Sequence, residues 1–207
     1  EFAVPYSKLH LAWRLPCSAH PDTPALSALS SILGGGRSAR FYEKFHDRLG
    51  LVYSIEVHSN QSETDEGAFT ISMDVDRAQR DKVRDLVLQE LRNLAEEDFT
   101  EDLKRVCKQT RVSRLRRRSS ASGVASEMGA DWFGSRNLNL SSEWQEAIER
   151  VTTEDLHRVC STWLSSPNVT EVSLDPPGSN AGDEERASAS AGTALSEHVL
   201  GNGMKVV

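Results

Sequence analysis

The sequence is short of cysteine and has neither a long apolar run nor an excess of basic residues. Its three cysteines, in 207 residues, are far apart and lack CxxC spacing, which argues against a disulfide framework or a redox centre. No stretch approaches the ~20 apolar residues of a membrane-spanning helix. The formal net charge is -7, so nucleic acid is not an expected partner, because nucleic-acid-binding domains carry a basic surface.

Two groups of functional motifs are also missing. Neither HxxEH nor HExxH occurs, and the nearest text, LSEH at 195–198, lacks the first histidine. In both motifs the histidines bind zinc and the glutamate activates water, so their absence excludes that zinc-binding helix from this chain. GxGxxG and GxxxxGK[ST] are absent as well, which argues against a phosphate-binding loop.

The apolar periodicity predicts an α+β domain. LHLAWRL (9–15) alternates as a half-buried strand, and LVYSIEVHS (51–59) and AFTISMDVD (68–76) predict two more. Two helices precede this hairpin, four follow it, and a last strand is predicted in NVTEVSL (168–174). This order predicts a mainly antiparallel sheet that is covered on one face by helices.

Local signals predict where several helices begin and end. Thr23 is the expected N-cap of the first helix, with a proline directly after it, and the glycines at 34–36 end that helix. Ser142, with a glutamine three residues later, has the spacing of a capping box ahead of another helix. Thr152 or Thr153 is expected to cap the last helix.

The composition changes after two consecutive prolines at 176–177. Residues 178–194 are small, polar or charged, which predicts a flexible linker. Beyond it, an asparagine–glycine pair between apolar flanks is typical of a tight hairpin turn. We therefore divide the chain into a lobe at 1–177, the linker, and the first strand of a further, truncated lobe at 195–207.

Several segments follow one another in a characteristic order. LGGGRSARFYEKFHDRLGLVY (33–53) joins a glycine cluster, a short helix and a second glycine to a strand, and PDTPAL precedes it. FTEDLKR and VTTEDLHRV mark two later helices, and LGNGMKVV follows the linker. In this order the segments resemble the non-catalytic lobe of the pitrilysin/insulinase zinc peptidases, family M16, with its motifs SSRLF, LREK and GLxY. The segment after the linker resembles LxNGLRVV, which opens a typical lobe of this family. The resemblance covers nearly the whole chain and implies the α+β lobe of the LuxS/MPP-like metallohydrolases.

The resemblance implies that two facing lobes divide the chemistry. One lobe of the family carries HxxEH with the zinc ion, and its partner supplies an arginine and a tyrosine that reach the substrate and the oxyanion. Tyr53 falls on the family tyrosine, and His46 falls on the family arginine seven residues earlier. His46 can donate a hydrogen bond to a carbonyl but lacks the fixed charge and forked geometry of arginine. Tyr53 and His46 are thus the candidate catalytic contacts, no metal is expected in this chain, and zinc is expected in the partner lobe.

Each candidate also has a purely structural interpretation. Alternation places Tyr53 on the same side as Leu51 and Ile55, so Tyr53 also fits an aromatic side chain packed in the sheet. The glycine cluster ends a helix whether or not it also contacts substrate. The candidate substrate contacts in this cluster are Gly34, Gly35 and Gly36.

Two charged clusters have ordinary surface explanations. Glu43, His46 and Asp47 lie one helical turn apart, but no second set of ligands accompanies them, so a solvated helix face is predicted rather than a metal site. The basic run RVSRLRRRSS (111–120) is expected to pair with acidic neighbours or to stay solvated.

Two functions from different classes fit these observations. The first is the substrate-binding lobe of a zinc-dependent M16 metallopeptidase, inactive alone, whose partners are the zinc-bearing lobe of the same parent chain and a peptide substrate. The second, favoured by His46, is a lobe of a catalytically inactive M16-like structural or assembly protein. A free-standing adaptor domain is a third interpretation, and the strand predicted after the linker argues against it. The reduced cysteines favour the cytoplasm, and the periplasm stays open.

Overall fold

A four-stranded antiparallel sheet forms the centre of the fold. The computed structural model describes residues 4–61, 66–164 and 169–176, and two short strands after them. The strands of the central sheet are β1 (Ser7–Leu15), β2 (Val52–Asn60), β3 (Gly67–Val75) and β4 (Thr170–Leu174). Their spatial order is β2-β3-β1-β4, so β2 and β4 are the two edges. Within the described ranges, no helix is long and apolar enough to cross a membrane.

One face of the sheet is apolar and covered, and the other is polar and open. Leu11 of β1 lies opposite Ile71 of β3, and both are fully buried. Lys8, His10 and Arg14 alternate with the buried positions of β1 and are exposed. This period of two confirms the predicted strands and puts the polar side chains on one face of the sheet.

The helices lie on the apolar face. They are α1 (Thr23–Gly34), α2 (Arg80–Asn93), α3 (Thr100–Arg117), α4 (Ala121–Ser135), α5 (Leu140–Glu149) and α6 (Thr153–Val159). A π-helix at Tyr42–Arg48 stands between α1 and β2, and a π-helical segment at Cys160–Leu164 continues α6. Single 3-10 turns lie at Arg77–Gln79 and Leu94–Glu96. Because α1 contacts β2, α3, α5 and α6, it is the central helix of this layer. The predicted α+β class is confirmed.

The predicted helix starts were right at one position and wrong at two. Thr23 is the first residue of α1 rather than its cap, because its hydroxyl donates to the carbonyl of Cys17 instead of accepting from the helix. Ser142 lies inside the first turn of α5. Thr152 caps α6 as predicted: its hydroxyl accepts from the amide of Asp155, whose carboxylate accepts from the amide of Thr152 in return.

The last part of the chain contains a short strand pair. β5 (His198–Val199) and β6 (Lys205–Val206) pair antiparallel on either side of the asparagine–glycine pair. The predicted linker at 178–194 lies outside the described residues. The division of the chain at 177 and 195 therefore stays a prediction.

Candidate functional site

Tyr53 lies at the start of β2, where the strand is irregular. The pairing of β2 with β3 shifts between Val52 and Ser54, which is the mark of a β-bulge. A bulge interrupts the alternation of side chains, so Val52 and Ile55 are both buried whereas Tyr53 is 51% exposed. The prediction that placed Tyr53 on one side of the strand with Leu51 and Ile55 was therefore wrong.

The hydroxyl of Tyr53 is held by a neighbouring carboxylate. It donates a hydrogen bond to Oδ1 of Asp76 at 2.9 Å, and the ring of Tyr6 lies 4.5 Å from the Tyr53 ring, centroid to centroid. This hydrogen bond, together with partial desolvation and the charge of Asp76, raises the pKa of Tyr53 above its ordinary value of 10.0. The phenol therefore stays protonated at neutral pH and remains a hydrogen-bond donor.

A second polar cluster lies at the same end of the open face. Asp74 of β3 accepts a hydrogen bond from Nζ of Lys8 at 2.9 Å and another from Oγ of Ser54 at 3.0 Å. The three side chains come from three adjacent strands, so they connect β1, β3 and β2 directly across the sheet. This end of the sheet therefore presents a cation, a carboxylate and two hydroxyl groups, counting that of Tyr53.

Most of these neighbours could not be predicted from the sequence. Ser7 of β1 lies opposite Val75 of β3, and this register brings Tyr6 and Asp76 to the same end of the sheet. No local pattern marks either residue, or Lys8, because their proximity depends on pairing between strands that are far apart in sequence. Asp74 is the exception, because the alternation within the strand predicted at 68–76 puts it on the polar face.

His46 lies on the π-helix and is engaged by its own neighbours. Its Nδ1 is 2.7 Å from Oδ1 of Asp47, and its ring stacks on that of Tyr42 with 4.4 Å between centroids. The hydroxyl of Tyr42 lies 3.5 Å from Nε2, the ring nitrogen that remains for a ligand. Both residues are described, and no hydrogen bond or ring contact joins His46 to Tyr53. The structure thus places the predicted pair on consecutive elements without direct contact.

The three glycines end α1, and each has a different environment. A Cβ on Gly34 would lie 2.6 Å from the backbone nitrogen of Val57, so only glycine lets α1 approach β2 this closely. The amide of Gly35 donates to the carbonyl of Ser31, and Gly36 has a φ of 107°, which favours glycine. These features account for helix termination, and the assignment of the glycines as substrate contacts stays a prediction.

The side chains around His46 do not form a metal site. Glu43 accepts a hydrogen bond from Arg48 at 2.5 Å, and Asp47 is occupied by His46. Within the described ranges, no three His, Cys, Asp or Glu side chains are grouped so that they could hold a metal ion. The described residues of this chain therefore do not fit a zinc ion.

The basic run of α3 pairs in part with a buried carboxylate, as predicted. Glu127 is 4% exposed, and its Oε1 accepts from Arg114 at 3.1 Å and from Arg118 at 2.7 Å. Burial alone would raise the pKa of Glu127, but the hydrogen bonds and charges of the two arginines lower it. The two arginines thus hold α4 against α3.

Comparison with known proteins identifies the family. Residues 3–110, just over half of the chain, match the model described as the peptidase M16 inactive domain. The chain belongs to the peptidase M16 family. Its fold is similar to that of a protease from Helicobacter pylori, with a TM-score of 0.75 and 24% identity over 84% of this M16 chain and 42% of that chain. It is also similar to the inactive peptidase domain of a proposed zinc protease from Bordetella parapertussis, with a TM-score of 0.71 and 18% identity over 85% of this chain and 94% of that domain.

The relatives of this M16 chain differ in how much of their length it covers. An uncharacterized zinc protease of Rickettsia felis is 23% identical over 138 residues, which are 67% of this chain and 33% of the relative. The chain thus spans about a third of that relative and less than half of the H. pylori protein, but nearly all of the B. parapertussis domain. The predicted family and inactive-domain type are confirmed. At these low identities, the structural likeness establishes the fold alone.

Proposed function

We propose that this chain is the non-catalytic, substrate-binding lobe of a zinc-dependent M16 metallopeptidase. The observation that carries the proposal is Tyr53, which is exposed on a bulge, fixed by Asp76 and located where the family tyrosine falls. The Tyr53 hydroxyl has a single proton, which it donates to Asp76 in this structure, so donation to a peptide carbonyl requires the hydroxyl to turn from Asp76 to the substrate. In that position it would stabilise the negative charge that develops on the carbonyl oxygen. Zinc and the general base lie in the partner lobe.

The edge of the sheet that carries Tyr53 is the proposed binding site for the peptide. β2 is an edge strand, so an extended peptide can pair with it through backbone hydrogen bonds. A peptide added at the start of β2 would pass beside Tyr53, whose hydroxyl faces Asp76 in this structure. Strand addition provides affinity independent of sequence, and side-chain contacts provide the specificity.

The outer surface of α4 has the properties of a contact with a partner lobe. The charged residues of this helix, Glu127 and Asp131, point inward and are each 4% exposed. Met128, Trp132 and Phe133 are instead 45%, 45% and 82% exposed. An uncharged outer surface with large apolar side chains is typical of a contact with another domain or protein. Because relatives of this lobe occur in longer chains, we assign the surface to the rest of the parent protein.

Phe133→Ser tests this contact by comparing two forms of the protein. In the isolated lobe the variant is expected to leave the thermal midpoint nearly unchanged, because Phe133 is already 82% exposed. In the complete protein the variant loses the roughly 2 kcal/mol that burial of the Phe133 side chain contributes, so the thermal midpoint of unfolding falls. Differential scanning calorimetry of both forms measures the difference. Equal midpoint shifts in both forms would contradict an interlobe contact at α4.

The metal content of the parent tests the proposed function itself. We expect about one zinc ion per complete protein by mass spectrometry of the metal, together with peptide hydrolysis that a chelator abolishes and added zinc restores. The isolated lobe is the matched blank and is expected to show neither. Zinc bound stoichiometrically by the isolated lobe would contradict the assignment of this chain as the metal-free lobe.

His46 supports a second candidate function. With its Nδ1 at Asp47 and its ring on Tyr42, His46 does not provide the forked cation of the family arginine. A structural or assembly protein without catalysis needs no such cation. A complete protein that folds but holds no zinc and hydrolyses no peptide would favour this candidate. The location of the protein, for which the cytoplasm is favoured and the periplasm is the alternative, also stays a prediction.

A further inference from the structure

A cavity of about 680 Å³ lies between the end of α1, α3 and α5. Gln61, which follows β2, contributes to its wall, so the cavity is at the opposite end of that strand from Tyr53. Its volume is within the ~300–1,000 Å³ typical of ligand sites. Neither the site at Tyr53 nor the apolar surface of α4 contributes to its lining.

The lining carries positive charge, although the chain as a whole is acidic. Among the described residues that line the cavity, the charged ones are Arg114 and Arg117, and none is acidic. Arg114 is already held by Glu127 at 3.1 Å and by Ser142 at 2.6 Å. For Arg117, no side-chain hydrogen bond or ion pair is found within the described ranges. Arg117 is therefore the guanidinium that remains for an anionic ligand.

The rest of the lining suits a peptide better than a bare anion. Gln109 carries a carboxamide and Ser113 a hydroxyl, so the wall offers both donors and acceptors. Two further polar side chains of the wall already have partners, since the Ser141 hydroxyl donates to Asp131 and the Gln145 carboxamide accepts from Arg114. A peptide backbone needs both kinds of group, whereas a phosphate ion mainly accepts. Trp144, half-buried in the same wall, provides an aromatic surface for an adjoining side chain.

We propose that this cavity binds a carboxylate presented on a peptide, with Arg117 as the ionic contact and Trp144 as the packing surface. The carboxylate belongs either to the C-terminus of the peptide or to an acidic side chain, since both offer the same planar pair of oxygens to a guanidinium. The inference deepens the proposed function and rests on it in one respect, the peptide nature of the ligand. Its binding test needs neither zinc nor turnover, so the two proposals can fail separately.

Calorimetric titration of the lobe with four probes tests the proposal. The probes are an acetylated tetra-alanine peptide with a free C-terminus, the same peptide amidated, an amidated peptide with one central glutamate, and inorganic phosphate. We expect at least one carboxylate peptide to bind and the amidated tetra-alanine not to bind, and the comparison of the two carboxylate peptides identifies the source of the carboxylate. Arg117→Gln is expected to weaken this binding by about tenfold.

Arg116→Gln is the matched control. Arg116 is adjacent on α3, exposed, outside the lining, and its replacement changes the net charge equally. The proposal expects Arg116→Gln to bind the carboxylate peptide as the unmodified chain does. Equal weakening by both variants, equal binding of the amidated peptide, tighter binding of phosphate than of any peptide, or no binding at all would overturn it. Circular dichroism of both variants confirms that they fold.

Discussion

In the complete protein, Tyr53→Phe is expected to lower kcat by about 100-fold and to change KM much less. The phenol donates to an oxygen whose charge grows in the transition state, so its loss affects turnover more than substrate binding. Phenylalanine keeps the ring beside Tyr6 and removes only the hydroxyl that Asp76 orients. Steady-state hydrolysis of a fluorogenic peptide measures both parameters.

Tyr6→Phe is the control for this prediction. It removes the same group from the neighbouring ring, which contacts Tyr53 at 4.5 Å but donates no hydrogen bond to Asp76 in the described structure. We expect its kcat to stay within about twofold of the unmodified protein. If Tyr53→Phe also left turnover unchanged while zinc and activity were present, Tyr53 would not be a catalytic contact.

Most of the fold could be predicted from the sequence because its elements have strong local signals. The exception is α4, since four helices were predicted after the hairpin and the described residues form five. Period-two alternation in β1 and β3 put Leu11 and Ile71 on the covered face, as the structure has them. The glycines after α1 ended the helix where expected, and Thr152 capped α6. Each of these features depends on residues within one or two turns of each other, so local chemistry is sufficient.

The candidate site could be predicted only in part, because it depends on tertiary register. The bulge at Tyr53 reversed the expected direction of its side chain, and a bulge has no reliable signal in a single sequence. The pairing of β2 with β3 brings Asp76 to the Tyr53 hydroxyl. No pattern in either segment predicts that hydrogen bond. His46 lies on a π-helix directly before β2, whereas the sequence periodicity predicted an ordinary short helix there.

Asp22→Ala is expected to destabilise the isolated lobe by about 2 kcal/mol and to lower its thermal midpoint by ~4–8 °C. Asp22 is 5% exposed, and its carboxylate accepts hydrogen bonds from Arg158 and from Nε1 of Trp163, which is 3.0 Å away. These bonds connect the start of α1 to α6 and to the segment after it. Their loss leaves the half-buried indole N–H of Trp163 without this acceptor, whereas Arg158, which is 50% exposed, keeps its hydrogen bond to Asp155. Urea titration gives the free energy of unfolding.

Asp85→Ala is the matched control for this loss, because its carboxylate pairs with Arg84 at the surface and its side chain is 68% exposed. Exposed ion pairs contribute less than about 1 kcal/mol, so Asp85→Ala is expected to unfold almost as the unmodified lobe does. A loss from Asp22→Ala no larger than that from Asp85→Ala would show that the buried contacts contribute little.

The destabilisation caused by Asp22→Ala is expected to depend on pH, because the Asp22 carboxylate titrates. Burial alone would raise the pKa of Asp22, but the hydrogen bonds from Trp163 and Arg158, with the charge of Arg158, lower it below the ordinary 3.8. A carboxyl whose pKa is lowered by folding stabilises the protein above its unfolded pKa, and this contribution is lost as the pH falls through the folded value. The stability gap between the unmodified lobe and Asp22→Ala should therefore be constant from neutral pH down to about pH 5 and shrink below 3.8. Urea titrations of both proteins across this range measure the gap, and a gap unchanged at pH 2.5 would mean that the charge of Asp22 does not stabilise the fold.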